Sequence, residues 1–541
     1  MESIIEAFSS HGTLVQPDSL NYILSKKNPM EFSQSIISNL QEYPLVLTTQ
    51  LIKRIETELF ENDTCINPEA INPSIQEINT NDHQDIQTSL LQKKKPIQQT
   101  KECAIPPNPR APMISSPVTW NPIAKEYDAD VKIINDITGN STCEGTTKDF
   151  AKLFSDRFDT LRNHLRKQRR ELMQAIPIKR AKRVGLSDIQ LIGIVNEVRT
   201  TQNGHKLIEL EDDSGTIACI ALQNNQEVFS IAENIVNDEI IGVCGVLSKN
   251  GDLFIINNVI YPDISMHNRQ HKSNAPLYAA FLSDIHIGSR EFLNKEWIAF
   301  LRWINGESGN TRQKTVAGKI KYLVIPGDVV DGIGVYPNQE KELTIPDLYK
   351  QYEEIANQLQ QIPEHIRIIL QPGNHDAVRP AEPQPTFEKE IQTLFSGNDV
   401  TFIGNPSTFS LHTVEILSYH GQSLLDFATN IQQLKYNEPI EIMKVMLQKH
   451  HLAPLYGGYT PLAPEHKDYM IINQIPDIFV TGHVHLANIG EYRGVTLINA
   501  SSWQDQTNYQ KMLNFIPDPA KLPIVDLQSG NVTMMDFTKS L

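Results

Sequence analysis

The sequence predicts a multidomain α+β protein: a small N-terminal helical module, a small β-barrel, and an α/β layered domain. Three observations predict it. The chain has 541 residues, and single hydrophobic cores seldom grow past about 250–300 residues. The apolar pattern changes from helical spacing, to short alternating runs between turns, to buried-strand runs that alternate with amphipathic segments. A stretch rich in Asn, Gln, Pro and Lys separates the first pattern from the rest.

The bulk numbers set limits. With 40% apolar and 21% charged residues the composition is that of a globular protein, and the net charge of −16 argues against a uniformly basic nucleic-acid coat. Cys65, Cys103, Cys143, Cys219 and Cys244 are odd in number, widely spaced and form no Cys-x-x-Cys pair, which excludes a zinc ribbon or disulfide framework and fits a reducing, cytoplasmic setting. The first thirty residues carry Glu2 and Glu6 and no long apolar run, and nowhere are there about 18 consecutive apolar residues. The expectation is a chain that neither spans a membrane nor is secreted.

Residues 1–61 repeat apolar side chains at helical spacing (Ile4, Ile5, Phe8; Leu20, Ile23, Leu24; Ile36, Ile37, Leu40), which reads as a helical module. Residues 62–117 end in Pro106-Pro107-Asn108-Pro109 and cannot bury enough to fold, so they read as a disordered linker. Residues 118–183 offer a strand at Val131–Ile134 and a helix from about Thr147 to Gln174. Nine basic residues lie between Arg162 and Arg183 against one acid, Glu171. Arg162, Arg166, Lys167, Arg169 and Arg170 are read as contacts to a DNA phosphate backbone, with a solvated helix end as the alternative.

Residues 184–265 alternate five short β-rich runs (Gln190–Val198, Leu207–Leu210, Ile217–Ala221, Ile240–Val246, Leu253–Val259) with Asn-Gly and Asp-Ser-Gly turns. Five strands around such turns suggest an OB-fold, a barrel that often binds single strands through basic and aromatic faces. Few aromatics are available here, so a scaffold role is equally open. In residues 275–541 the buried strand candidates are Phe281-Leu282, Tyr322–Ile325, Ile366–Leu370, Val414–Leu417, Ile478–Val480 and Val495–Ile498. The first five run directly into metal-seeking residues, and strand C-terminal ends are where open α/β sheets place their sites.

Those residues are Asp284-Ile285-His286, Gly327-Asp328-Val329-Val330-Asp331, Gly373-Asn374-His375-Asp376, His420-Gly421 and Gly482-His483-Val484-His485. Asp284 with His286, and His483 with His485, stand at i and i+2, so an extended segment would send each pair off one face to grip one ion. Asp328 has two oxygens and can bridge two cations. Asn374 offers a neutral carbonyl oxygen, leaving His375 as a proton donor or electrostatic clamp. Asp331 and Asp376 are expected to orient ligands rather than bind metal. His450 and His451 compete with His420, but they end a helical run. His412 and His466 read as surface or loop residues, and Cys219 and Cys244 as buried core thiols.

In this order, each after a strand, the five motifs resemble the calcineurin-like metallophosphoesterase superfamily across residues ~279–510. The resemblance implies two metals, with Asp284, His286 and His485 on the first, Asp328 bridging, Asn374, His420 and His483 on the second, and His375 acting on the leaving oxygen. The mixed oxygen and nitrogen set suits Mn2+, with Mg2+, Fe, Zn or Ni possible.

An OB-like barrel before such a domain resembles the B-subunits of replicative DNA polymerases. With its metal ligands intact the chain is similar to the archaeal family D DNA polymerase small subunit. Asp136–Gly145, Pro372–Arg379, His451–Gly458 and Ser501–Gln504 carry that likeness. It implies a 3′→5′ proofreading exonuclease that binds DNA 3′ ends and single strands, partnered with a large catalytic subunit that holds the polymerase site. Trp503, Tyr509, Phe515 and Ile516 are then candidate partner-facing residues, with ordinary core as the alternative. Two other functions remain compatible with the residues: a non-catalytic scaffold, and a phosphatase or phosphodiesterase for small substrates.

Overall fold

The computed structural model describes residues 120–184 and 188–539, together with 8, 14, 15, 17–24, 26, 28–39, 46, 47, 52, 53, 55 and 56. The expected linker, with Cys65 and Cys103, lies outside the described residues. The chain divides into two units, Met1–Ala111 and Pro112–Leu541.

In the first unit, helices Pro17–Leu24 and Pro29–Asn39 meet over a small core of Phe8, Ile23, Ile36, Ile52 and Ile55. The all-helical expectation needs one correction: Leu14–Val15 pairs in parallel with Val46–Leu47, because short β-branched and leucine runs flank the two helices.

The second unit opens with β1 (Val131–Asp136) and helix α1 (Thr147–Gln168). Helix α1 starts at a capping box in which Thr146 and Asp149 satisfy each other's backbone N–H. Its apolar face (Phe158, Leu161, Leu165) packs on barrel residues Ile192, Ile240 and Ile260. Buried Arg157 on the same face donates to Asp468 at 2.6 Å and to the carbonyl of Pro454 at 2.6 Å. A short helix α2 (Ile178–Val184) leads into the barrel.

The barrel strands are β2 (Ile189–Thr200), β3 (Lys206–Asp212), β4 (Gly215–Ala221), β5 (Ile240–Leu247) and β6 (Phe254–Ile260). They close in the order β2-β3-β4-β6-β5, all antiparallel except β4 with β6. Helix α3 (Gln226–Ala232), capped by Asn225, covers one end and was not legible in the alternation pattern. Its Val228 and Ala232 join a core that also holds Leu191, Ile208, Cys219, Val243 and Phe254. Burial pushes the Cys219 thiol far up. Cys244 is half-buried rather than a core residue, and its thiol is raised to about 11 chiefly by burial.

The layered domain contains β7 (Tyr278–Phe281), α4 (Asn294–Ile304), α5 (Thr311–Ala317), β8 (Ile320–Pro326), α6 (Leu348–Leu359), β9 (Arg367–Gln371), α7 (Lys389–Leu394), β10 (Val400–Phe402), β11 (Ser407–Leu411), β12 (Val414–Ser418), α8 (Leu424–Asn430), α9 (Pro439–Lys449), β13 (Ile478–Thr481), β14 (Asn488–Tyr492), β15 (Val495–Asn499), α10 (Asn508–Met512), β16 (Lys521–Asp526) and β17 (Val532–Asp536). One six-stranded sheet runs β10-β9-β8-β7-β16-β17 and the other β14-β15-β13-β12-β11-β1.

Alternation along the strands builds four layers. Phe281, Tyr322, Val324, Ile369, Phe409, Ile416, Ile478, Val480 and Ile498 fill the space between the sheets. The opposite faces, with Leu323, Ile325 and Leu370 on one sheet and Leu417, Phe479 and Leu497 on the other, pack on helices through Trp297, Phe300 and Ile355 or Phe427, Met443 and Met446. Strand β8 is buried throughout, and burial on both faces is why Tyr322–Ile325 reads as an unbroken apolar run.

The expected separation of 118–183 from the layered domain needs correcting. Strand β1 pairs antiparallel with β11 at the edge of the second sheet, so the barrel is looped out between two parts of one layered domain. No helix among the described residues is long and apolar enough to cross a membrane.

Candidate metal centre

The candidate ligands sit where β7, β8, β9, β12 and β13 end. The i, i+2 pairs do not lie on extended chain as expected. Asp284, His286, Asp328, His483 and His485 have φ of 51°, 53°, 53°, 67° and 58°, in the left-handed region. That conformation costs about 1–3 kcal/mol per non-glycine residue, so tertiary contacts must hold it, and such strain collects at functional sites. The holding contacts are hydrogen bonds between loops. Asp284 Oδ2 accepts the backbone N–H of His483 at 2.9 Å, and Asp328 Oδ1 accepts that of His375 at 2.8 Å.

The loops approach too closely for side chains at several glycines, Gly373 and Gly327 among them. A Cβ on Gly373 would lie 2.2 Å from Asp328 Oδ1 and 2.7 Å from Asp328 N. One on Gly327, where φ is +110°, would lie 2.6 Å from His420 Nδ1.

Two donor sets result. Asp284, His286 and His485 offer ligand atoms all within 4.8 Å of one another, and so do Asp328, His420 and His483. In the first, His286 Nε2 stands 3.1 Å from His485 Nε2, and His485 Nε2 stands 3.4 Å from Asp284 Oδ1. In the second, His420 Nε2 stands 3.2 Å from Asp328 Oδ2 and 2.9 Å from Asn374 Oδ1. Asp328 Oδ2 is also 3.9 Å from His286 Nε2, which puts it between the sets. A third cluster joins His286, Asp331 and His375.

The electrostatics suit cations. Burial pushes Asp284 up, but His485 more than offsets it and leaves the carboxyl at about 2. Burial opposes ionisation of Asp328 as well, yet the nearby imidazoles of His420 and His375 hold it well below the usual range. His420 is raised to about 10 because Asp328 outweighs the burial penalty, while burial drops His483 to about 3 and lowers His286. Ionised carboxylates beside the neutral imidazoles of His286 and His483, with a His420 proton that a bound cation would displace, are a donor set that fits two divalent ions.

The surrounding groups orient this set. Asp331 Oδ1 stands 3.1 Å from His286 Nδ1 and accepts from Gln504 at 2.9 Å, and its Oδ2 accepts from Gln339 at 3.0 Å. Asp376 accepts from the backbone N–H groups of Asp328 and Gly373, and burial together with Asp328 raises its carboxyl to about 7. His375 Nδ1 lies 2.7 Å from the Asp331 carbonyl, so its ring is fixed while Nε2 keeps a free valence.

His450 and His451 stand apart from both sets. His450 forms the left-handed cap of α9, with Nε2 3.2 Å from the Asp263 carbonyl, and His451 Nε2 is 3.0 Å from Asp468. His412 occupies the turn between β11 and β12, and His466 is exposed and pairs with Asp149.

The basic segment divides. Arg162 pairs with Asp159 at 2.5 Å, Arg166 donates to the Ala175 carbonyl at 2.6 Å, and Arg169 donates to the carbonyls of Tyr261 and Pro262. Arg169, and Arg162 through a second contact to Asp213 at 3.4 Å, tie the end of α1 to the barrel, while Arg166 ties it to the segment that follows. Lys167 and Arg170 are exposed.

Above the donors opens a cleft of about 680 Å³. Gln510, on its rim, was missed in the sequence and lies 3.1 Å from His485 Nδ1; the Thr507-x-x-Gln510 capping box marks its helix. Of the aromatic and apolar residues expected near the partner surface, Trp503 is fully buried core and Phe515 packs on Tyr436, while Tyr509 and Ile516 are exposed.

Residues 279–489 match the family of DNA polymerase alpha/epsilon B-subunits, and residues 189–266 match the OB-fold nucleic acid binding domain. The DNA polymerase II small subunit of Methanocaldococcus jannaschii is 42% identical over 417 residues, covering 76% of this chain and 69% of that protein. Its counterpart in Archaeoglobus fulgidus is 45% identical over 395 residues, covering 73% and 78%. That of Methanothermobacter thermautotrophicus is 40% identical over 417 residues, covering 77% and 85%. Identity of this depth, across barrel and layered domain together, means that the chain belongs to the archaeal DNA polymerase II small subunit family.

Proposed function

We propose that this subunit is a 3′→5′ exonuclease that removes mispaired nucleotides from DNA 3′ ends, and that DNA synthesis resides in a large catalytic subunit with which it pairs. The observation that carries the reading is the pair of abutting donor sets with Asp328 between them. The four-layered arrangement, with its ligands at strand ends, resembles calcineurin-like metallophosphoesterases.

Asp284, His286 and His485 would hold one ion and Asn374, His420 and His483 the other, with Asp328 shared. Mn2+ suits this mixed set best, ahead of Mg2+, Fe, Zn or Ni. Two such ions lower the pKa of water and neutralise charge developing on the phosphoryl oxygens. His375, steadied through Nδ1 by the Asp331 carbonyl, is the group that would give a proton from Nε2 to the departing 3′ oxygen. Asp331, Gln339 and Gln504 keep His286 in register. The barrel, with Lys167 and Arg170 exposed beside it, would bind single-stranded DNA upstream.

The test is nucleotide release from a 3′-mismatched primer by the full chain with Mn2+. Release that is abolished by Asp328→Ala and by His375→Ala supports the reading. No release, or release unchanged in both variants, overturns it. Faster hydrolysis of a chromogenic phosphomonoester than of DNA would assign the site to small substrates instead.

A further inference from the structure

The cleft over the donor sets is aromatic and lacks cationic side chains. Five of its 22 lining residues are Tyr or Phe, against 7% of the chain, and no Lys or Arg lines it among the described residues. A pocket built for a free phosphate dianion would offer guanidinium or ammonium groups. This one leaves phosphate charge to the donor sets and offers flat apolar rings, which every nucleobase can stack on.

The rings are built into a shelf. Tyr336 and Tyr509 stack with centroids 5.6 Å apart and planes at 23°. Tyr336 is half-buried, and Tyr509 is 46% exposed and lines the cleft. Glu342 fastens both supports: one oxygen accepts from the Tyr336 hydroxyl at 3.3 Å and the other from Asn508, the first residue of α10, at 3.2 Å. Two further contacts key the shelf to the chemistry. The ring of Tyr336 lies 6.4 Å from that of His375, and Gln510, next to Tyr509, lies 3.1 Å from His485 Nδ1.

We propose that the Tyr336–Tyr509 stack is the platform for the terminal base of an unpaired DNA 3′ end, with Tyr509 making the contact and Tyr336 backing it. The inference rests on the exonuclease reading and sharpens it: the site selects frayed ends because a paired terminal base must give up its base-pair hydrogen bonds and its stacking on the penultimate base to reach the shelf, whereas a mispaired one has already lost the pairing. Tyr509 is a substrate-positioning residue and takes no part in bond making or breaking.

The experiment places 2-aminopurine, whose fluorescence falls on stacking, at the 3′ terminus of a single-stranded oligonucleotide, and measures both quenching without added metal and nucleotide release with Mn2+. The full chain is compared with Tyr509→Ala and Tyr509→Trp. Expected are quenching by wild type that is lost in Tyr509→Ala and kept in Tyr509→Trp. The alanine variant should show a KM raised at least ~5-fold, with kcat within about 3-fold. An oligonucleotide ending in an abasic nucleotide should show wild type the same KM penalty and should not distinguish the variants. Unchanged KM and quenching in Tyr509→Ala, while wild type degrades DNA, overturns the shelf alone. An equal loss on abasic and normal ends, unrescued by Trp, assigns Tyr509 a structural role and also overturns it. If wild type releases nothing, the exonuclease reading fails and the shelf with it.

Discussion

Asp376 Oδ2 accepts the backbone N–H of Asp328 at 2.8 Å and, with the same oxygen, that of Gly373 at 2.8 Å. One buried carboxylate thus staples the loop after β8 to the loop after β9, the two loops that carry Asp328, Asn374 and His375. Asp376→Ala leaves two buried N–H groups and the Tyr352 hydroxyl short of an acceptor. The expected loss of stability is about 2–4 kcal/mol. Asp376→Asn keeps one acceptor oxygen and should lose less. Denaturant unfolding of the three proteins checks the order.

Replacing His375 should separate metal binding from turnover. His375→Ala keeps both donor sets and should retain the metal content of wild type, with kcat lower by roughly 10²–10⁴-fold. Asp328→Ala removes the shared carboxylate and should lose metal as well. Elemental analysis beside nucleotide release distinguishes the two.

At Gly373 the added methyl group meets Asp328 at both Oδ1 and the backbone nitrogen. Gly373→Ala should therefore reduce metal stoichiometry while leaving the barrel intact. Calorimetric titration with Mn2+ reads the first effect, and far-UV circular dichroism the second.

Removal of metal should lower thermal stability. Ligand at 100 times its Kd stabilises the folded state by about 2.7 kcal/mol. The unfolding midpoint should therefore fall on adding chelator and recover with excess Mn2+.

Acid should destabilise the junction between α1, the barrel and the layered domain. Asp468 is held far below its ordinary 3.8 because Arg157 and His451 outweigh the burial penalty. His450 is lowered from 6.5 to about 4, chiefly by burial. Both folded-state values are depressed, so both contributions are present above the unfolded values and are lost as pH falls. Stability should decline from about pH 6.5 towards 4 as the unfolded chain gains the His450 proton, and more steeply below about 4 through Asp468. Melting curves from about pH 8 to about 2.5 check this, and His450→Gln should flatten the upper part of the decline.

The legibility of the sequence varied with burial. The barrel strands stood out because alternation and turn residues recur at short intervals, and β8, β9, β12, β13 and β15 because strands buried on both faces are continuously apolar. Strands β10, β11, β14, β16 and β17 did not. They are short or half-exposed, and β16 carries Pro523. Every candidate ligand could be named from its motif, but how each pair converges could not, since left-handed backbone at Asp284 or His485 is imposed by neighbouring loops. The charge run from Arg162 to Arg170 likewise hid which guanidinium groups meet carbonyls of the same chain, because sequence shows charge but not which acceptor lies in reach.

Strand β1 is made early and paired late. Ser407 Oγ donates to the Asn135 carbonyl across 272 residues of chain. During synthesis that strand has no partner until the barrel and half of the layered domain have emerged. The second sheet therefore closes by a long-range step, of the kind that slows folding. A fragment cut immediately after the barrel would begin without its own edge strand and expose β11, a bare row of N–H and C=O groups open to pairing with another chain.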